Sequence, residues 1–259
     1  GSGIATTAAI GAIMIPEMAK AGYNKAFSAA LIAAAGCLGP IIPPSVPMIM
    51  FGATTETSVT ALLIGGLLPG AMLTALLMVF VYFYAKKHNI VGGGKFNLRK
   101  CWQAFVGAIP ALLVPIIILG GIYSGYFTPT EAAAIAVVYS FLAGTLIYRE
   151  TNLQNLKEAL VGSAAQTGTI LIIAAGAIFF ARMLTMEQFQ QIVKNFALAM
   201  TSSKILILLI LNVILLVLGC LMDTTPIILV FAPILLPIAV SYGIHPVHFG
   251  VMMCTNLAI

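Results

Sequence analysis

The stretch Gly36–Pro47, GCLGPIIPPSVP, forbids an unbroken helix where its surroundings call for a membrane span. It lies inside a run without charged residues from Ala26 to Thr55, long enough to cross a bilayer. Pro40, Pro43, Pro44 and Pro47 each lack an amide hydrogen, and each disfavours helix in the residue before it. The helix must therefore open near the middle of the membrane. An unpaired backbone group in hydrocarbon costs on the order of several kcal/mol, so such a break persists only buried in protein or lining a polar cavity. Broken helices of this kind form ion and substrate sites in secondary transporters.

The rest of the composition agrees. Of 259 residues 61% are hydrophobic and only 7% charged, so the chain reads as an all-α integral membrane protein rather than a β-barrel. The net charge of +5 is a topology signal and not a nucleic-acid footprint, because the cations cluster in loops. Cys37, Cys101, Cys220 and Cys254 form no CxxC pair and read as packing thiols. The ends carry no signal-peptide pattern at Gly1 and stop inside an apolar run at Ile259, which reads as an internal piece of a larger protein.

In chain order, Gly3–Met18 is apolar and about 24 Å long as a helix, so it fits one arm of a re-entrant hairpin with Gly1-Ser2-Gly3 as its tip. The polar turn Glu17–Lys25 leads to the broken helix. Thr60–Ala85 is a span expected to tilt or kink at Pro69-Gly70. Lys86 to Lys100 is a basic loop, and Trp102 begins an interfacial segment before the span Ala104–Tyr126. Thr128-Pro129-Thr130-Glu131 has the spacing of a capping box opening a span to Tyr148. Arg149–Glu158 is a polar connector, Ala164–Ala181 a span, and Arg182–Lys204 an amphipathic surface segment. Ile205–Met222 and Pro226–Val240 flank Asp223-Thr224-Thr225, and a last apolar helix follows the turn Ser241–His245. If Glu17–Lys25 faces the cytoplasm, nine of the twelve cations lie inside, provided that both short hairpins re-enter on their own side.

Shifting the chain by 221 residues lays Ser2 on Asp223, Ile13 on Ile234, Pro16 on Pro237 and Gly22 on Gly243. The two stretches share one plan: polar tip, apolar arm ending near proline, glycine turn, apolar helix. With the charge count, this predicts inverted-topology repeats and a second Gly/Pro break after Ile259.

Asp223 is the only aspartate, set between two apolar arms, and a carboxylate there costs at least about 2.5 kcal/mol on insertion scales. A hard cation such as sodium takes oxygen ligands, which hydroxyls, carbonyls and a carboxylate supply. One candidate set is Gly1, Ser2 and the break, through Gly39, Ile42 and Ser45. The other is Asp223, Thr224 and Thr225. Helix starts after Gly3 and Pro226 would aim positive dipole ends at a carboxylate substrate, for which Ser2, Pro43, Ser45, Asp223 and Thr224 are the candidates. No catalytic set emerges: HExxH is missing, one aspartate makes no dyad, and Ser2 has no deep histidine partner. His88, His245 and His248 lie at loop ends and lack a third metal ligand.

GSGIATTAAIG with MIPEM and AGY, then LGPIIPPS, GGIYSGYFTPTEAAA and LMDTTPIILVFAPILLPIAVSYGIHPVHFG together resemble the large membrane (M) subunit of TRAP (tripartite ATP-independent periplasmic) transporters. The family is similar in plan to divalent-anion/sodium symporters of the ion transporter superfamily. The resemblance implies an inverted-repeat elevator-type fold with re-entrant hairpins, in the bacterial inner membrane. It implies sodium-coupled uptake of a carboxylate-bearing acid such as sialic acid or a C4-dicarboxylate. The implied partners are a periplasmic binding (P) protein and a small membrane (Q) subunit, sometimes fused. On this plan residues 1–55 and 164–259 belong to the transport domain and 56–163 to scaffold helices and arms. The other readings are a related anion/sodium symporter, a channel and an intramembrane hydrolase.

Overall fold

Caps and prolines decide where the helices begin. A computed structural model of the chain describes residues 1–90, 97–149, 151–189, 191–193, 195, 201 and 203–259. Within them the structure is helical: α1 (Gly3–Lys20), α2 (Lys25–Gly36), α3 (Val46–Thr55), α4 (Val59–Lys87), α5 (Leu98–Tyr123), α6 (Pro129–Leu142), α7 (Leu153–Met186), α8 (Lys204–Leu221), α9 (Thr224–Ser241) and α10 (Pro246–Ala258). Among the described residues six stretches, drawn from α4 to α9, are long and apolar enough to cross a membrane. The chain is an all-α, multi-pass membrane protein. Large apolar side chains face outward, as Ile172 (76% exposed) and Phe179 (70%) do on α7, and lipid is the natural cover for them.

Two compact units are present, Gly1–Val91 with Ile170–Ile259, and Gly92–Thr169. In the first unit, α1 and α2 form a hairpin, while α3 packs against α4, α9 and α10. Met48, Phe51, Leu62, Ile227 and Phe249 are fully buried at that junction, and the rings of Phe51 and Phe249 lie 6.3 Å apart. Phe27 at the start of α2 stacks on Tyr84 near the end of α4 with centroids 3.4 Å apart. In the second unit, α5 and α6 pack together. The Tyr139 hydroxyl donates to the Pro110 carbonyl at 2.9 Å, and the Tyr148 hydroxyl donates to the Gly107 carbonyl at 3.1 Å. The Thr128 capping box is formed: the Thr128 amide donates to Glu131 Oε2 at 2.8 Å, and the Glu131 amide donates to Thr128 Oγ1 at 3.3 Å. A π-helical turn, Ala143–Ile147, extends α6.

Two expectations change. The polar stretch Arg149–Glu158 is not a connector throughout, because α7 starts at Leu153 and runs 34 residues, taking in Lys157, Glu158 and Arg182. It contains no proline, and its charged ends extend an apolar middle rather than interrupting it. Trp102 does not open a separate segment but lies in the first turns of α5. The span expected over Thr60–Ala85 lies within α4, with Pro69 inside the helix. The middle of the loop from Lys86 to Lys100, with Gly92-Gly93-Gly94, and much of the segment Arg182–Lys204 lie outside the described residues.

The repeat at 221 residues extends to the backbone. α1 and α9 are both 18 residues long and start and stop at matching positions. Asn24 and His245, again 221 apart, both cap the next helix with a side-chain acceptor. Gly22 and Gly243 both have positive φ, +95° and +71°. The same wrapping bond closes each helix, from the Tyr23 amide to the Met18 carbonyl (3.0 Å) and from the Ile244 amide to the Ala239 carbonyl (3.1 Å). Neither glycine has an atom within 4 Å of where a Cβ would stand, so a substitution there meets only backbone strain. Gly22→Ala and Gly243→Ala should each cost about 1 kcal/mol and add when combined. Thermal unfolding of the purified protein in detergent checks this.

Candidate functional site

Ser2 is the N-cap of α1: its hydroxyl accepts from the Ala5 amide at 3.4 Å. Its carbonyl accepts from the Thr6 amide at 3.0 Å and the Thr6 hydroxyl at 2.7 Å. Directly against this tip lies the break. After α2 ends, the amides of Leu38, Gly39, Ile41 and Ile42 reach back over one turn, to the carbonyls of Ala35, Gly36 and Leu38. Pro40, Pro43 and Pro44 have no amide to place, and turn-like bonds take up those of Leu38, Gly39, Ile41 and Ile42. Ser45 closes the gap. Its fully buried hydroxyl donates to the Pro40 carbonyl and accepts from the Met48 amide at 3.3 Å, capping α3.

The contact between tip and break depends on small residues. A Cβ on Gly39 would stand 2.7 Å from Thr6 Oγ1 and 2.9 Å from the Ser2 carbonyl oxygen. A Cβ on Gly1 would stand 2.9 Å from the Pro44 carbonyl oxygen, and one on Gly3 3.3 Å from that of Gly36. Main-chain oxygens of Ser2, Gly36 and Pro44 and the Thr6 hydroxyl thus gather around Gly1 and Gly39. This is chemistry suited to a hard cation. Of the residues named for this half, Gly1, Ser2 and Gly39 lie together here. Pro43 is buried within the break. Ser45 uses its side chain as a cap, and its carbonyl accepts from the Ile49 amide at 3.1 Å. Ile42 points away, onto α4, where a Cβ on Gly70 would stand 2.6 Å from Ile42 Cγ1. The Ile41 carbonyl likewise abuts Gly66. Gly66, not singled out in the sequence, and Gly70, read there only as part of a kink, are the floor on which the break rests; their spacing of four is the signal of a close helix contact.

The second tip is the two-residue link between α8 and α9. Asp223 holds the N-cap position of α9 with φ −66° and ψ 151°, yet its side chain makes no capping bond. Its exposed carboxylate is therefore not engaged in holding the helix start. Thr224 donates its hydroxyl to the Leu257 carbonyl at 3.2 Å, tying the tip to the end of α10, and Thr225 follows half-buried. Among the described residues no group of three or more His, Cys, Asp or Glu could hold a metal ion. A cation at either tip would rest on hydroxyl and carbonyl oxygens, with Asp223 as the single carboxylate. His245 caps α10, accepting from the Val247 amide at 3.3 Å, and His88 stacks on Tyr84. Thr6, whose hydroxyl lies against Gly39, was missed, as was Thr7 against Gly36; for Thr6, its place one turn after Ser2 on the same face was the available signal.

Gly39→Val should force the first tip off the break and destabilise the fold by about 2 kcal/mol. Asp223→Ala, which removes no capping bond, should change stability by less than about 0.5 kcal/mol. Thermal unfolding of the two variants side by side tests both expectations.

Compared with known proteins, residues 1–259 match the family model described as "Tripartite ATP-independent periplasmic transporter, DctM component". The chain is 42% identical over 259 residues to the C4-dicarboxylate TRAP transporter large permease protein DctM of Pseudomonas aeruginosa, covering 100% of this chain and 61% of that protein. It is 41% identical over 260 residues to the isethionate TRAP transporter permease protein DctMQ of Oleidesulfovibrio alaskensis, covering 100% and 41%. It is 36% identical over 259 residues to the sialic acid TRAP transporter large permease protein SiaM of Vibrio cholerae, covering 100% and 61%. The chain thus spans 61% or less of the length of each of these three relatives.

Proposed function

The chain belongs to the DctM component family of the tripartite ATP-independent periplasmic transporters, and on that premise we propose that it is the substrate-carrying part of a large permease subunit driving sodium-coupled uptake of a carboxylate-bearing organic acid. Its place is the bacterial inner membrane, as a transporter component and not an enzyme. The three relatives are named for C4-dicarboxylate, isethionate and sialic acid. All three are organic anions, so the shared demand on the site is to hold negative charge away from bulk water.

One observation carries the reading: two hairpin tips built on the same backbone plan, each at the start of an 18-residue helix and each joined to hydroxyl and carbonyl oxygens. A helix start presents unpaired amides and the positive end of its dipole, which favours an anion. The oxygens beside it favour a cation. The first sodium sits, on this proposal, among Gly1, Ser2, Gly39, Ile42 and Ser45, and the second at Asp223, Thr224 and Thr225. The carboxylate substrate lies between, near Ser2, Pro43, Ser45, Asp223 and Thr224. Neutralising the lone acid with sodium would make both ions cheaper to desolvate together than either alone, which is a physical basis for coupling.

The hairpins in residues 1–55 and 164–259 would travel as the transport domain of an elevator, and residues 56–163 would supply scaffold and arms. A periplasmic binding protein would deliver the substrate. A small membrane subunit would complete the permease, and the double designation DctMQ suggests that the two subunits can be joined.

The test is uptake into proteoliposomes holding the full-length permease and small subunit, with the cognate binding protein outside. An inward sodium gradient should drive accumulation of the acid, and Asp223→Ala should lower the rate at least about tenfold. Equal uptake when potassium replaces sodium, or wild-type transport by the variant, would overturn the proposal.

A further inference from the structure

Behind the second tip, two asparagines meet inside an apolar helix contact. Asn256, near the end of α10, is 9% exposed. Its Nδ2 donates to the Oδ1 of Asn212 on α8 at 2.6 Å and to the Asn212 carbonyl oxygen at 3.2 Å. Asn212 in turn donates to the Leu208 carbonyl at 2.8 Å and toward Met252 Sδ at 3.3 Å. Further along the same contact, α8 and α10 close to near touching, since a Cβ on Gly219 would stand 3.5 Å from the Leu257 Cα.

This pair is poorly explained as a stabiliser. The Asn256 Oδ1 and Thr255 Oγ1 atoms are buried with no hydrogen-bond partner among the described residues. A buried acceptor left unpaired costs about 1–3 kcal/mol, whereas a polar contact between membrane helices returns on the order of 0.6–2 kcal/mol. Two leucines would fill the same space at less cost. What leucines lack is direction: a bond from one amide to both the side chain and the main chain of residue 212 sets the rotation and register of α10 on α8. The residue after Asn256 is Leu257, whose carbonyl receives the Thr224 hydroxyl. A chain of contacts therefore runs from Asn212 through Asn256 and Leu257 to Thr224, beside Asp223. The first repeat has alanine, Ala35, at the position matching Asn256, and its tip is placed instead by close backbone packing on Gly36 and Gly39.

We propose that Asn212 and Asn256 are positioning residues that fix α10 beneath the second hairpin tip and so set the place of Thr224 and Asp223. The role assigned to that tip rests on the transport reading above; the latch itself does not. It is tested in the full-length permease with its native cysteines replaced, carrying one reporter thiol at either Met222→Cys, beside the second tip, or Ile4→Cys, at the first. Asn256→Leu and Asn212→Leu should each speed maleimide labelling at Met222→Cys by about fivefold or more, with no further gain in the double variant and no change at Ile4→Cys. The double variant, with an apolar pair in place of both amides, keeps the measurement possible if a single one fails to fold. In the wild-type background without reporters, Asn256→Leu should raise the sodium concentration for half-maximal uptake by about fivefold and leave the maximal rate within about twofold. Unchanged labelling at Met222→Cys in folded variants, or an equal rise at Ile4→Cys, would overturn the latch. Uptake that ignores sodium in the unmodified permease would overturn the transport reading instead, while the labelling rates still decide the latch.

Discussion

Everything in this chain answers to one constraint: a peptide group inside hydrocarbon must find a partner. Most of the sequence meets it by forming helix, which satisfies each group within its own segment. The stretch from Cys37 to Ser45 cannot, and the structure shows what meeting the constraint without helix requires. The amides of Cys37, Leu38, Gly39, Ile41 and Ile42 turn back over three or four residues, and the Ser45 hydroxyl bridges the Pro40 carbonyl and the Met48 amide in the first turn of α3. The break keeps carbonyl oxygens, those of Ile41 and Pro44 among them, close against Gly66 and Gly1, and such oxygens suit a hard cation. The polar site is a by-product of repairing the helix, not an addition to it.

Small residues make the repair possible from both sides. Gly1, Gly3 and Gly39 let the tip of α1 lie on the break, and Gly66 and Gly70 let α4 lie under it. A side chain at Gly1, Gly39 or Gly66 would meet a main-chain oxygen at 2.9, 2.9 or 2.7 Å, and one at Gly70 would meet the Ile42 side chain at 2.6 Å. The oxygens would then face lipid or apolar side chains, at several kcal/mol each. The two tips reach the same end differently. The first is set by backbone contact, and the second by amides on α8 and α10 that act on it through Leu257 and Thr224.

Much of this was legible in the sequence, for local reasons. The break was visible because proline removes a donor whatever surrounds it. The capping box at Thr128 was visible because it needs only residues three apart. The repeat was visible because glycine and proline mark the same turn twice, although few side chains are shared. What stayed hidden depends on neighbours distant in sequence. The charged residues at the two ends of α7 look like a connector and the start of a surface segment until the helix is seen to run through them. Gly70 looks like part of a kink until Ile42 is found against it. Asn212 and Asn256 stand 44 residues apart in unrelated apolar runs, and nothing local pairs them.

The uncapped acid is where fold and function meet. An aspartate at a helix start ordinarily turns its carboxylate back onto the first amides, which satisfies both and stabilises the helix. Asp223 holds that position without making that bond, while Ser2, at the matching point of the first repeat, makes it. A carboxylate already bonded to its own helix has less to offer an incoming ion. One held at the dipole's positive end but left unbonded keeps its oxygens available and its charge tolerable at the edge of an apolar bundle. The α9 start is stabilised instead by Thr224 reaching across to α10, so removing the acid from structural duty does not leave the tip loose. On the proposed reading, that separation, with the threonine holding the tip and the aspartate outside any capping bond, suits a reversible cation site: an ion could be captured by the acid and released without disturbing the fold.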